Sequence, residues 1–316
     1  MREKVDPEIK IYLEEQDAEG GRPFEEQTPE ENRRDEDEFL QSLHEGLPEP
    51  EMKKVENRVI DAGGISIPIR IYTPPTGKAP HPVIIFFHGG GWVIGSVENR
   101  DFRCRTIAEQ TESIVVSVNY RLAPEHLFPA AAEDCYAAAL WVSKNGASFG
   151  GDLSSLSVMG DSAGANLSAV VSLMARDKGE PAVANQLLIY PAVDLYSLEG
   201  GSYREFGENH FLTKAAMEYF IELYVPDREE RKNPLASPLY ADSFSGLPRA
   251  YIVTAECDVL RDEGKLYGDK LQAAGTQVDY ACFSGMIHGF LEMSTVSQKA
   301  QAANRRILST IKRLIH

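Results

Sequence analysis

Short β-branched and aromatic runs alternate with longer amphipathic stretches along most of this chain. The runs fall at residues 65–72, 83–87, 114–118, 156–159, 187–190, 251–254 and 278–283. Each has the length of a strand. Helix-like stretches separate most of them, at 104–110, 130–144, 163–176 and 263–274. Such alternation predicts an α/β fold with a mostly parallel sheet covered on both faces by helices. A further run at 55–61 meets 65–72 across Gly63-Gly64 and predicts an antiparallel hairpin at the start of the sheet. The last helix is expected at 296–315, with Val296, Ala300, Ala303, Ile307, Ile311 and Leu314 on one face.

Two regions break the rhythm. Near the N-terminus, Asp6-Pro7 offers a helix cap followed by proline at the first helical position, with Ile9, Tyr12 and Leu13 on one face. Thr28-Pro29-Glu30-Glu31 repeats the device as a capping box, and Phe39, Leu40 and Leu43 supply the apolar face. Between Pro191 and Leu247 no strand is evident. Thr213 caps a helix there whose apolar positions are Met217, Phe220, Ile221 and Tyr224. An insertion of this size late in an alternating fold reads as a lid or cap.

Charge and composition narrow the picture. The chain has 316 residues, 43% of them apolar, enough for one large domain with or without an appendage. Its net charge of -16 argues against nucleic acid and anionic membrane as partners. Residues 1–50 hold seventeen acidic and six basic side chains, so they carry -11 of that charge. Their outer face reads as solvated, while their apolar stripes predict docking on the body. The four cysteines form no C-x-x-C pair and no His/Cys cluster has zinc spacing, so no metal site is expected. The first thirty residues hold no signal-like apolar run, and no stretch approaches the ~20 apolar residues of a membrane span. A cytoplasmic protein without a membrane anchor is the expectation.

The chemistry concentrates in a few loops. Gly160-Asp161-Ser162-Ala163-Gly164 lies between a predicted strand and a predicted helix. A G-x-S-x-G run there fits a nucleophile elbow, because a sharp turn strains the serine backbone and only glycine avoids collisions at the flanks. An ordinary tight turn is the plain alternative. Upstream, His88-Gly89-Gly90-Gly91-Trp92 follows a strand, and such a loop supplies backbone N–H groups to a developing oxyanion. Gly90, Gly91 and Ala163 are the expected donors. His88 reads as a residue that fixes this loop. Downstream, the elbow architecture places an acid and then a base. Of seven histidines only His288 and His316 follow the last predicted strands, and His288 sits on a glycine-flanked loop. Asp258 is the favoured acid, with Glu256 and Asp262 as competitors.

Taken together, the H-G-G-G-W loop, Tyr120-Arg121-Leu122-Ala123-Pro124-Glu125, the G-D-S-A-G elbow, the 258–264 segment D-V-L-R-D-E-G and Ile287-His288-Gly289-Phe290 resemble the hormone-sensitive-lipase-like (bacterial family IV) branch of the α/β-hydrolases. The likeness runs from about Val55 to the C-terminus. It implies an eight-stranded sheet, a cap built from residues 1–50 and an insertion at about 192–246, and a catalytic body spanning 51–316. It also implies a Ser162, Asp258 and His288 triad, an oxyanion hole of Gly90, Gly91 and Ala163, and hydrolysis of short- to medium-chain carboxylic esters without cofactor. One departure is Asp258-Val259-Leu260, where the branch commonly has D-P-L. A lactone or amide hydrolase would use the same site, and a non-catalytic ligand-binding protein is the reading from another class. The final strand offers an edge for pairing with a second subunit as a homodimer.

Overall fold

The computed structural model describes residues 2–316. The eight apolar runs form a single eight-stranded sheet of order β1-β2-β4-β3-β5-β6-β7-β8. The strands are β1 (Lys54–Ala62), β2 (Ile65–Thr73), β3 (His81–Phe87), β4 (Ile114–Val118), β5 (Gly151–Asp161), β6 (Asn185–Ile189), β7 (Arg249–Cys257) and β8 (Val278–Ile287). β2 is antiparallel to both β1 and β4, and all other neighbours are parallel. Every residue of β3 and β4 is buried, so both faces of the sheet are covered there. The edge strands β1 and β8 alternate instead.

β8 runs past its expected end at Phe283. Past Ser284-Gly285 the ladder shifts register and resumes with Cys257 opposite Ile287. Gly285 takes a positive φ of 75° and absorbs the irregularity as a bulge.

The helices are α1 (Pro7–Ala18), α2 (Pro29–His44), α3 (Asp101–Thr111), α4 (Ala130–Asn145), α5 (Ala163–Lys178), α6 (Gly201–Phe206), α7 (Lys214–Tyr224), α8 (Arg261–Ala273) and α9 (Gln298–Ile315). α5 is buried continuously from Ala163 to Ala175. It has no wet face, which explains its many small residues. Its buried hydroxyls bond back along the helix, Ser168 Oγ to the Gly164 carbonyl at 2.9 Å and Ser172 Oγ to that of Ser168 at 2.8 Å.

The acidic N-terminal segment docks as its apolar stripes predict. Val5, Ile9, Leu13, Leu40 and Leu43 are buried. The capping box at Thr28 and Glu31 is formed in both directions. Asp6 caps α1, its N–H donates to the Gly285 carbonyl at 2.8 Å, and its carboxylate accepts the Ser297 hydroxyl at 2.9 Å. Ser297 in turn caps α9. In the 191–247 stretch, Thr213 caps α7 as expected, and Met217, Phe220, Ile221 and Tyr224 are buried.

Ile9 is fully buried and Ile11 is 56% exposed on the same helix. Ile9→Ala is expected to cost about 2–5 kcal/mol in denaturant unfolding, and Ile11→Ala no more than about 0.5 kcal/mol. Equal small losses would show that α1 does not share the cooperative core.

Candidate active site

The register of the parallel strands brings their carboxyl ends to one edge of the sheet. Phe87 of β3 lies opposite Val118 and Gly160, Gly160 opposite Leu188, and Ile189 opposite Val253. The segments that follow β3, β5, β6, β7 and β8 therefore open together, as ligand-binding loops do in open α/β sheets. They carry the 88–92 loop, Ser162, Tyr190, Asp258 and His288.

Ser162 occupies the turn from β5 into α5 with φ 55° and ψ -118°. A non-glycine residue is strained there, and the surroundings must over-determine it. Its N–H donates to the Ile189 carbonyl at 2.9 Å. The two flanking glycines are there for space. A Cβ on Gly164 would lie 1.9 Å from the Phe87 carbonyl oxygen, and one on Gly160 would lie 2.2 Å from the Gly164 carbonyl carbon. Helix, elbow and strand β3 thus meet backbone to backbone.

Ser162 Oγ lies 2.9 Å from His288 Nε2, and His288 Nδ1 lies 2.8 Å from Asp258 Oδ2. Asp258 is 1% exposed and its other oxygen accepts the Leu260 N–H at 3.0 Å. The Tyr190 ring packs 4.5 Å from the His288 ring. The competing carboxylates are occupied elsewhere. Glu256 accepts the Ser284 hydroxyl and the Gly285 N–H at 2.7 and 2.8 Å. Asp262 accepts the Ser202 N–H at 2.8 Å and does not cap α8, whose N-cap is Leu260. His316 bonds the Thr111 carbonyl at 2.9 Å.

His88 is fully buried, bonded through Nδ1 to the Gly89 carbonyl at 2.8 Å and stacked on Tyr120. Burial pushes its imidazole down to about 3, so it stays neutral at any working pH and fixes the loop. Gly90, Gly91 and Ala163 line one cavity with Ser162 and His288. Ala163 opens α5, where the first N–H groups have no intrahelical acceptor.

That cavity holds about 320 Å³. One wall is apolar and comes from Phe24, Phe211, Leu212, Met217 and Phe220, contributed by the N-terminal segment and the 191–247 stretch. The other side is charged. Arg100 pairs with Glu36 of α2 at 2.6 Å, Arg103 with Glu292 at 3.2 Å, and Asp161 accepts the Gly89 N–H at 3.1 Å. Burial pushes the Asp161 carboxyl up against the opposing pull of Arg100. Burial also raises Glu292, but Arg103 and Arg100 outweigh it and hold that carboxyl low.

Sequence reasoning missed this charged group, because each member alone resembles a solvated side chain. One signal was available. Arg100 and Arg103 lie at the N-terminus of α3, where the helix dipole disfavours cations.

A sequence model of the α/β-hydrolase fold matches residues 84–292. The carboxylesterase NlhH of Mycobacterium tuberculosis is 40% identical over 272 residues, covering 84% of each chain. An arylesterase of Saccharolobus solfataricus is 34% identical, over 85% of this chain and 87% of its own. Among solved structures, a thermostable esterase from Pseudomonas putida superposes with a TM-score of 0.94 at 36% identity, covering 99% of this chain and 98% of that one.

Gly164→Ala forces α5 away from β3 and is expected to cost more than about 2 kcal/mol. Thermal unfolding compared with Ala165→Gly, a helix-interior change worth about 1 kcal/mol, separates a backbone clash from helix propensity. A near-normal Gly164→Ala protein would contradict the close contact.

Proposed function

The chain belongs to the hormone-sensitive-lipase-like branch of the α/β-hydrolase family, and on that premise we propose that it is a serine carboxylesterase acting on short- to medium-chain esters through an acyl-enzyme on Ser162. The observation that carries this reading is the unbroken hydrogen-bonded run from Ser162 Oγ through His288 to the buried Asp258. His288 Nε2 accepts the serine proton as Oγ attacks the ester carbonyl, then gives it to the departing alcohol. Water repeats the cycle on the acyl-enzyme. Asp258 holds the imidazole in the required tautomer and stabilises the imidazolium.

The Gly90, Gly91 and Ala163 N–H groups receive the charge on the carbonyl oxygen. One such donor is worth about 3–4 kcal/mol in the transition state. Residues 1–50 and 192–246 act together as a cap over the 51–316 body. Phe24 from the first and Phe220 from the second stand 5.2 Å apart in the cavity wall, which supports that division. Glu36, Arg100 and Asp161 also line the cavity, and alkyl carbon set against them gains no apolar contact, which favours a short acyl group over a long alkyl chain. The protein acts as a cytoplasmic enzyme on dissolved ester. No helix among the described residues is long and apolar enough to cross a membrane, which fits that setting.

With p-nitrophenyl butyrate, Ser162→Ala and His288→Ala are each expected to lower kcat about a million-fold and Asp258→Ala about ten-thousand-fold. Glu256→Gln should leave turnover close to that of the parent. An intact rate in Ser162→Ala ends the acyl-enzyme reading. A panel of esters, lactones and anilides tests the leaving group, and fastest turnover on anilides would overturn the ester assignment. Removing residues 1–50 is expected to change the acyl-length profile, and an unchanged profile in a folded deletion removes their role as a cap.

A further inference from the structure

Helix α2 has two adjacent arginines that face opposite ways. Arg34 points to solvent and pairs with Asp35 at 3.0 Å. Arg33 turns inward and spends its guanidinium on two loops of the catalytic body. Nη1 and Nη2 each lie 2.7 Å from a different carboxylate oxygen of Glu125, a fork-to-fork pair. Nε donates to the Val93 carbonyl at 2.9 Å, and Nη2 also donates to the Ala123 carbonyl at 3.0 Å.

Those two carbonyls belong to the frame of the glycine loop. The Val93 and Ile94 N–H groups both donate to the Gly90 carbonyl, at 3.0 and 2.9 Å. The Ala123 N–H donates to the Trp92 carbonyl at 2.9 Å. Between these anchors, Gly90, Gly91 and Trp92 have φ of 116°, 58° and 63°. Three consecutive residues at positive φ, one of them tryptophan, persist only when their surroundings hold them. The Trp92 ring is clamped by stacking on Tyr224 of α7, with centroids 4.8 Å apart and planes within 6°. Asp161 holds the loop's start through the Gly89 N–H, and Arg33 adds a hold on its far end from outside the catalytic body.

We propose that Arg33 is a positioning residue for the oxyanion loop, so that the N-terminal segment sets the aim of the Gly90 and Gly91 N–H groups as well as covering the cavity. This rests on the reading of those glycines as oxyanion donors. A lysine cannot take its place, because an ammonium has no planar fork to span Val93, Ala123 and Glu125 at once.

The test separates aim from closure. Arg33→Gln and Arg33→Lys are each expected to lower kcat about tenfold while KM changes less than about twofold, since a misplaced donor costs transition-state binding alone. Affinity for a trifluoromethyl ketone, which forms an oxyanion on Ser162, should fall by the same factor as kcat. Assays are run well below each variant's Tm. If Arg33→Gln fails to fold, Glu125→Gln keeps both carbonyl contacts, loses the charged pair, and should show a smaller loss with the same match of kcat to inhibitor affinity.

A raised KM with unchanged kcat would mean that Arg33 only closes the cavity, and overturns the proposal. So does unchanged affinity for the ketone. If the ketone binds Ser162→Ala as tightly as the parent, the acyl-enzyme reading has failed instead. Normal Arg33 variants in a Ser162-dependent enzyme sink only the positioning role.

Discussion

The contact on which the rest depends is the one between α5 and β3. No side chain separates them at Gly164, which sits against the Phe87 carbonyl. This single approach does two jobs. It lets β5 turn into α5 tightly enough to hold Ser162 in its strained conformation. It also places the start of the 88–92 loop beside the elbow, since that loop leaves β3 at Phe87. Ser162 and the expected oxyanion donors therefore share one origin of coordinates. A shift of α5 outward would separate them even with every side chain intact.

Much of this was legible because the informative patterns are local. A strand, a glycine-flanked serine and a helix lie within one stretch of sequence, and chain order brings Asp258 and His288 after it. The strands were visible because parallel strands are buried on both faces and read as continuous apolar runs. Three features depended on tertiary structure. The extension of β8 past Phe283 depends on its partner strand, which accommodates a register shift. Chain order favoured Asp258 over Glu256 and Asp262, and the separate partners of those two carboxylates are a tertiary fact no local pattern carries. The charged group of Glu36, Arg100, Asp161, Arg103 and Glu292 draws on four separated segments, and nothing in one segment announces the others.

That group also changes how the acidic N-terminus is understood. Most of its negative charge faces water, but Glu36 is a partner for a buried cation of the body. Removing one member of a buried pair leaves the other uncompensated and is costly. The N-terminal segment is therefore bound to the body by apolar burial at Ile9 and Leu40, by the Arg33 fork, and by a desolvated ion pair. These are three chemically different attachments, with different responses to salt and temperature.

The hydrogen bond from Ser297, the cap of α9, to Asp6, the cap of α1, has a consequence for biosynthesis. It joins positions 291 residues apart, so it can form only after Ser297 has left the ribosome. α1 therefore completes its anchoring only after α9 is made, whereas α2 meets Arg100 and Glu125 much earlier in the chain. Until then Ile9 and Leu13 of α1 lack the anchor that holds their helix start against the body. The net charge of -11 on residues 1–50 disfavours association between such incomplete chains, since like charges repel.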